Sequence, residues 1–262
     1  MNIDLKNKHA IVCGSTQGIG RGIAFELASL GASVTLFARN REEMKKIIEV
    51  LDISSGQQHG FLEADFRFPD QVFDVINEYV KKSTAVHILV NNSGGPAPGQ
   101  AIDADPQDYL NAFTQHVICN QHIIQAVVPL MKRENYGRII NVISISVRTP
   151  IAGLGVSNTI RGAVASWAKT LSSELGPYGI TVNNILPGLT MTGRLESLIH
   201  SRAKARGITD EQLAEEMKNS IPARRFADPM ETAALAGFLA SPSAAFISGE
   251  SIRVDGGATP SI

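Results

Sequence analysis

Three glycines, Gly14, Gly18 and Gly20, follow a short apolar run at residues 10–12 and precede a helical pattern that opens at Arg21. Strand, glycine turn and helix together can cradle a pyrophosphate. The glycines let the backbone approach it, and the helix N-terminus offers free N–H groups and partial positive charge. The spacing is G-x-x-x-G-x-G, not G-x-G-x-x-G, so the generic dinucleotide fingerprint is not met. Taken alone, the turn is equally an ordinary strand-to-helix connection. More chemistry sits at the ends of the next apolar runs. Arg39 follows SVTLFA, where an acidic residue would bind the ribose 2′-OH of NAD. A guanidinium there suits a 2′-phosphate, which favours NADP(H) over NAD(H), although a solvated arginine opening a loop is the plainer reading. Asp65, with Phe66 beside it, either accepts from an adenine amino group or caps the helix that starts near Pro69.

For these residues to converge, the chain between them must alternate strand and helix, and it does. Apolar runs at 10–13, 33–38, 60–64, 87–90, 138–143, 181–186 and 251–254 read as strands. Helical patterns at 21–30, 41–51, 71–82, 105–131, 157–175, 192–219 (interrupted at Gly207) and 230–240 separate them. Near-continuous apolar strands between helices predict a parallel sheet covered on both faces. The expected fold is a single doubly wound Rossmann domain over residues 1–262, with seven parallel strands and ligands at their carboxyl ends. With 262 residues, 44% of them hydrophobic and 19% charged, the chain can bury one large core.

Composition narrows the function classes. A net charge of −1, with no basic face and no aromatic interleaving, argues against nucleic acid and against an anionic membrane surface. Cys13 and Cys119 give neither a disulfide framework nor metal-ligand spacing. The first eight residues are polar and charged, unlike a signal peptide, and no apolar run approaches membrane-spanning length. A soluble cytoplasmic protein without a metal is the expectation.

Five motifs in order then resemble the short-chain dehydrogenase/reductase family over nearly the whole length. They are Gly14-Ser15-Thr16-Gln17-Gly18-Ile19-Gly20, Asn91-Asn92-Ser93-Gly94, Asn141-Val142-Ile143-Ser144, Pro187-Gly188, and Ser248-Gly249 with Val254-Asp255-Gly256-Gly257. The sequence looks most like the 3-oxoacyl-acyl-carrier-protein reductase branch. The resemblance implies that the glycine turn and the Asn91 segment bind the pyrophosphate and ribose of the cofactor. Pro187 and Gly188, with Thr190 or Thr192, would border the nicotinamide amide. It also implies a homo-tetramer or homodimer, and a substrate lid over 192–226. Cys13 before the turn and Ser93 in the second motif depart from the usual Thr and Ala, both small changes.

The resemblance implies a catalytic Asn, Ser, Tyr and Lys, and here the chain departs from it. Ser144 matches the serine. Thirteen residues on stands Ser157 in place of Tyr, and four further stands Arg161 in place of Lys; the asparagine position falls near His116. Ser157 and Arg161 share a helical face. An alkyl hydroxyl is far less acidic than a phenol, and arginine does not give up its proton as readily as lysine, so the family's usual proton transfer does not carry over. Three readings follow. A carbonyl/alcohol oxidoreductase could use Ser144 to hold the oxygen, Ser157 to order a hydroxyl or water, Arg161 as positive charge, and His116 or water as proton source. Arg161 with Arg148 could instead bind an anionic substrate group. Or the site could be catalytically silent, a nucleotide-binding or scaffold protein on the same fold. Divergent members with Ser and Arg at these positions exist and are described as reductase-like, which is analogy only. Two flanking stretches bear on substrate: the turn-rich 94–99 could wall the site. The lid, with Arg194, His200, Arg202, Lys204 and Arg206, reads as a salt-bridged solvated element or as a basic entrance.

Overall fold

Along the strands, side chains alternate between two buried faces, and each face has its own core. Ala10, Val12, Val34, Leu36, Ile88 and Val90 pack on one side with Ile23 and Leu27 of the first helix. Ile11, Cys13, Phe37 and Leu89 pack on the other with Val72, Ile76, Ile123 and Val127. That two-residue period with both faces apolar is what a covered parallel sheet requires.

The computed structural model describes residues 1–261. Seven strands, β1 His9–Cys13, β2 Ser33–Ala38, β3 Gly60–Glu63, β4 Ile88–Asn91, β5 Gly137–Val142, β6 Ile180–Pro187 and β7 Ser251–Val254, form one sheet in the order β3-β2-β1-β4-β5-β6-β7. All neighbours are parallel. The expected doubly wound architecture is therefore present, and the order reverses between β1 and β4, where such sheets bind ligands.

Helices cover both faces: α1 Gly18–Ser29, α2 Arg41–Ile48, α3 Pro69–Lys82, α4 Pro106–Phe113, α5 Cys119–Glu134, α6 Gly155–Leu175, α7 Gly193–Arg206, α8 Asp210–Asn219 and α9 Pro229–Ala240. Their starts are encoded locally. Asn40 accepts from Glu43 N, Asp105 precedes Pro106 and accepts from Gln107 N, and Thr192 accepts from Leu195 N. Thr209/Gln212 and Asp228/Glu231 form capping boxes. Two expectations need correction. α1 begins at Gly18, not Arg21, because the last glycines of the turn are already helical. The helix expected over 105–131 is broken by a π-turn, Thr114–Ile118, which separates α4 from α5. α7 and α8 do form a separate hairpin at Gly207, with its own small core of Leu195, Ile199 and Leu213. Among the described residues, no helix is long and apolar enough to cross a membrane.

At the carboxyl end of the sheet, a row of buried amides crosses three strands. Asn91 Nδ2 donates to Asn141 Oδ1 at 2.8 Å, Asn141 Nδ2 to Asn184 Oδ1 at 2.9 Å, and Asn184 Nδ2 to Ser251 Oγ at 3.1 Å. The strand register places these four residues side by side. The row ties the ends of β4 and β5, from which two site loops depart, to the middle of β6 and the start of β7.

Candidate active site

The glycine turn connects β1 to α1 and is shaped by what a side chain would strike. Gly14 and Gly18 have φ of +58° and +53°, the left-handed region that suits glycine. A Cβ on Gly14 would lie 2.7 Å from the Asn92 carbonyl oxygen, and one on Gly20 would run into the Gly14 carbonyl. Asn92 holds the turn in return, its Nδ2 donating to the carbonyls of Cys13 and Gly14, both at 3.2 Å. Gln17 at the start of α1 offers no side-chain cap, and the first turn of α1 carries no acidic residue. The opening N–H groups are thus unspent, and the helix dipole is uncompensated by the helix itself. A cradle of this kind, with no room for Cβ atoms, fits a phosphorylated cofactor.

A cleft of about 310 Å³ runs from this turn, lined by Gly14, Thr16, Gln17, Gly18, Ile19, Arg39, Asp65, Phe66, Asn92, Ser93, Gly94 and Thr192. Pro187, Gly188 and Thr190 lie beyond this cleft, and three further expected cofactor residues are not on its wall. Ser15 is fully buried, Gly20 lies beneath the turn against Gly14, and the Asn91 amide is drawn into the row across the sheet. They shape the cleft from below. At its far end Arg39 is 70% exposed and sits 3.8 Å from Asp65, whose carboxylate accepts from Arg67 Nε at 2.9 Å and Arg67 Nη2 at 2.6 Å. Hydrogen bonding from Arg67, helped by Arg39, holds the Asp65 carboxyl below its usual range. Asp65 does not cap α3: that helix starts after Phe68 with no side-chain cap, because Arg67 takes the carboxylate. Phe66 packs edge-on against Phe37, their ring centroids 5.3 Å apart.

A second cleft of about 260 Å³ continues from the first past Ser93, Gly94 and Thr192, and brings together Ser144, Ser157, Arg161, Pro187, Gly188 and Thr190. Ser144 leaves β5 in extended conformation, and its Oγ accepts from Ser146 N at 3.1 Å, so its own proton remains to be donated. Ser157 lies in the first turn of α6, and Arg161 one turn later. Arg161 is buried and Nη1 donates to the Val142 carbonyl at 3.1 Å. Burial first, and Arg194 second, push its guanidinium down to about 10, so it stays charged at neutral pH.

His116 is placed differently from the expectation. It sits on the π-turn, and Nδ1 shares a 2.8 Å hydrogen bond with Ser93 Oγ. Ser93 borders the second cleft, whereas His116 lines a separate depression with Gln115, Asn111 and Asp108. Its ring is held well below the usual histidine range by burial, with Arg161 and Arg194 adding to the shift. The neutral imidazole therefore sits behind Ser93, and it also lines a small void with Ser93 and Arg161. The π-turn is the physical cause: its extra residue breaks the helical register at this point. The pairing of Arg148 with Arg161 does not occur either. Arg148 follows a short 3-10 turn, Ile145–Val147, is exposed, and does not line the cleft.

Three site residues escaped the sequence reading. Arg67 was adjacent to a named residue but had no motif. Gln115 precedes His116 on a turn that helical periodicity does not reveal. Arg194 was one of five lid cations, and nothing in the spacing singled it out; in the structure its Nη2 donates to the Pro96 carbonyl at 3.1 Å across a gap kept open by Gly95. Of the other lid residues, His200–Asp210 and Arg206–Glu216 pair at 3.0 and 2.6 Å, the solvated, salt-bridged arrangement. Trp167 packs into the core with Nε1 donating to Gln121 Oε1 at 3.0 Å.

Comparison with known proteins follows this geometry closely. A family model described as enoyl-(acyl carrier protein) reductase matches residues 14–259. The NADPH-dependent reductase BacG of Bacillus subtilis (strain 168) is 30% identical over 261 residues, which cover 98% of this chain and 100% of the relative. The D-beta-hydroxybutyrate dehydrogenase of Rhizobium meliloti (strain 1021) is 33% identical over 259 residues, 96% of this chain and 98% of the relative. Among solved structures, the L-sorbose reductase from Gluconobacter frateurii complexed with NADPH and L-sorbose superposes with a TM-score of 0.93 at 27% identity, covering 100% of both chains.

Proposed function

The chain belongs to the short-chain dehydrogenase/reductase family, and from that premise we propose the residue roles by which it works as an NADP(H)-dependent oxidoreductase interconverting a carbonyl and its alcohol. The carrying observation is the continuous cleft that joins the glycine turn and Arg39 to Ser144, Ser157 and Arg161. The relatives are named as reductases and dehydrogenases, and nothing favours a silent scaffold. NADP(H) is the cofactor, in keeping with the NADPH-dependent relatives and with Arg39 and Arg67 at the end of the first cleft.

Bound in the first cleft, the cofactor supplies or accepts the hydride. Gly14, Thr16, Gln17 and Gly18 would hold its pyrophosphate, with Asn92, Ser93 and Gly94 beside the ribose and Pro187, Gly188, Thr190 and Thr192 at the nicotinamide end. Ser144 donates a hydrogen bond to the substrate oxygen without giving up its proton, and Ser157 orders a hydroxyl or water beside it. Arg161 stabilises the negative charge that develops on that oxygen, in a buried setting where such an interaction is strong. Ser93 passes the proton: Oγ gives its own to the alcohol oxygen and takes one from His116 Nδ1, while Nε2 recovers one from the far depression. The imidazole is neutral before and after, as its lowered basicity requires. Residues 192–226 act as the lid of one domain. A homo-tetramer or homodimer is supported by exposed Phe73, Leu110 and Phe113, and a cytoplasmic setting by unpaired Cys13 and Cys119.

The test is a titration of the purified protein with NADPH and NADH, followed by nicotinamide fluorescence. NADPH is expected to bind more tightly, and Arg39→Ala to lose about tenfold in NADPH affinity with little change for NADH. Absence of binding to either nucleotide overturns the reading.

A further inference from the structure

The second cleft carries an unbalanced charge. Among the described residues that line it, the only ionisable side chains are Arg161 and Arg194; no Asp or Glu is present. Arg161 is more than nine-tenths buried, and its one hydrogen bond goes to a neutral carbonyl, that of Val142. Arg194 donates only to the carbonyl of Pro96. Among the described residues, neither makes an ion pair, although Arg39, Arg41, Arg67, Arg206 and Arg225 all do. Arg194 also stands in the first turn of α7, where the helix dipole is already positive. Arg161 is desolvated without a counter-charge while Arg194 stands exposed at the cleft's edge, and an anion in the cleft would offset the cost of the buried guanidinium and pair with the exposed one.

On the oxidoreductase reading above, we infer that the substrate is a small oxo acid or hydroxy acid whose carboxylate is held by Arg161 and Arg194. Beyond the hydroxyls of Ser144, Ser157, Thr190 and Thr192 and the edge formed by Asn92 and Ser93, the wall is aliphatic, with Ile145, Ile151, Leu154, Leu189 and Leu198, so the remainder of the molecule is a short hydrocarbon body. The two arginines come from different parts of the fold, one from the helix that carries Ser157 and one from the lid. A carboxylate between them ties α7 to α6, so the charged group both orients the carbonyl and closes the lid. The competing occupant of Arg194 is the cofactor's diphosphate, since Arg194 borders the first cleft too.

The experiment separates these. The NADPH-saturated protein is titrated with 4-methylpentanoate and with 4-methylpentanamide, which carry no ketone to reduce, and its thermal midpoint is recorded. The acid is expected to raise the midpoint and the amide to leave it unchanged. Arg194→Gln is expected to abolish the shift by the acid while leaving NADPH affinity within about twofold. In parallel, 4-methyl-2-oxopentanoate is expected to show a KM about tenfold or more below that of its methyl ester, with the ratio falling toward one in Arg194→Gln. Equal responses to acid and amide overturn the inference. So does an Arg194→Gln protein that loses NADPH but keeps the difference between acid and amide. If the acid still stabilises but no carbonyl compound is reduced, the carboxylate site stands and the oxidoreductase reading falls.

Discussion

Ser93 touches two environments at once: it lines the second cleft, and its Oγ bonds His116 Nδ1 at 2.8 Å. Removing that hydroxyl interrupts the proposed proton path without altering the glycine turn. Ser93→Ala is expected to lower kcat by about a hundredfold with NADPH affinity unchanged, measured by stopped-flow oxidation of NADPH. Because the two residues act in series, Ser93→Ala/His116→Asn should be no slower than Ser93→Ala alone. Histidines also set the acid limit of stability. His87 is pushed down to about 4, by burial first and by Lys8 second, and only partly offset by Glu134. An unfolded chain takes up that proton near pH 6.5, so it binds more protons than the native state between about 6.5 and 4. Stability therefore falls as pH drops through that window, and His9 and His116 act in the same direction. Calorimetry from pH 7 to pH 5 should show a falling midpoint, with a shallower slope in His87→Asn. At this scale the sequence was informative where a motif fixes spacing, as for Ser144, Ser157 and Arg161. It was less so where the partner lies on another element. Ser93 read as a harmless replacement for alanine, and only the fold reveals its histidine.

The amide row linking β4, β5, β6 and β7 makes one side chain answerable for two neighbours. Asn141→Ala would strand Asn91 Nδ2 and Asn184 Oδ1 in a buried, dry layer. A loss of about 1–3 kcal/mol for each stranded group is expected, read from urea denaturation. The strain is also felt in the site, since both site loops leave from these strand ends. The glycine turn fails in a different way. Gly20→Ala sets a Cβ against the Gly14 carbonyl and 2.5 Å from Asn92 Nδ2, so the turn must open. Destabilisation of about 1–3 kcal/mol is expected, together with loss of NADPH binding in the fluorescence titration. Elements were legible where hydrophobic period and punctuation agree: all seven strands, the Gly207 break, and the helix that starts near Pro69. The π-turn was not. Apolar residues continue through it at nearly helical spacing, and the one-residue slip goes with a tertiary contact, the 2.8 Å hydrogen bond between Ser93 Oγ and His116 Nδ1, and with a local one, Asn120 Nδ2 donating to the His116 carbonyl at 2.6 Å.

Across the whole molecule, Phe73 on α3 and Leu110 and Phe113 on α4 are exposed apolar side chains that subunit association would cover. Light scattering is expected to return two or four chains per particle, and Leu110→Glu/Phe113→Glu to shift the population toward monomer. The covering of the other face has a consequence in time. The apolar side of α1 packs on α9, which lies some two hundred residues later in the chain, and β1 cannot pair on its second edge until β4 has emerged. At a synthesis rate of about 5–20 residues per second, the nascent chain presents Ile23 and Leu27 unprotected for roughly 10–40 s. The architecture that shelters the cofactor turn in the finished protein thus leaves that same segment the longest exposed on the ribosome, where slower elongation or a missing chaperone would first be felt as aggregation.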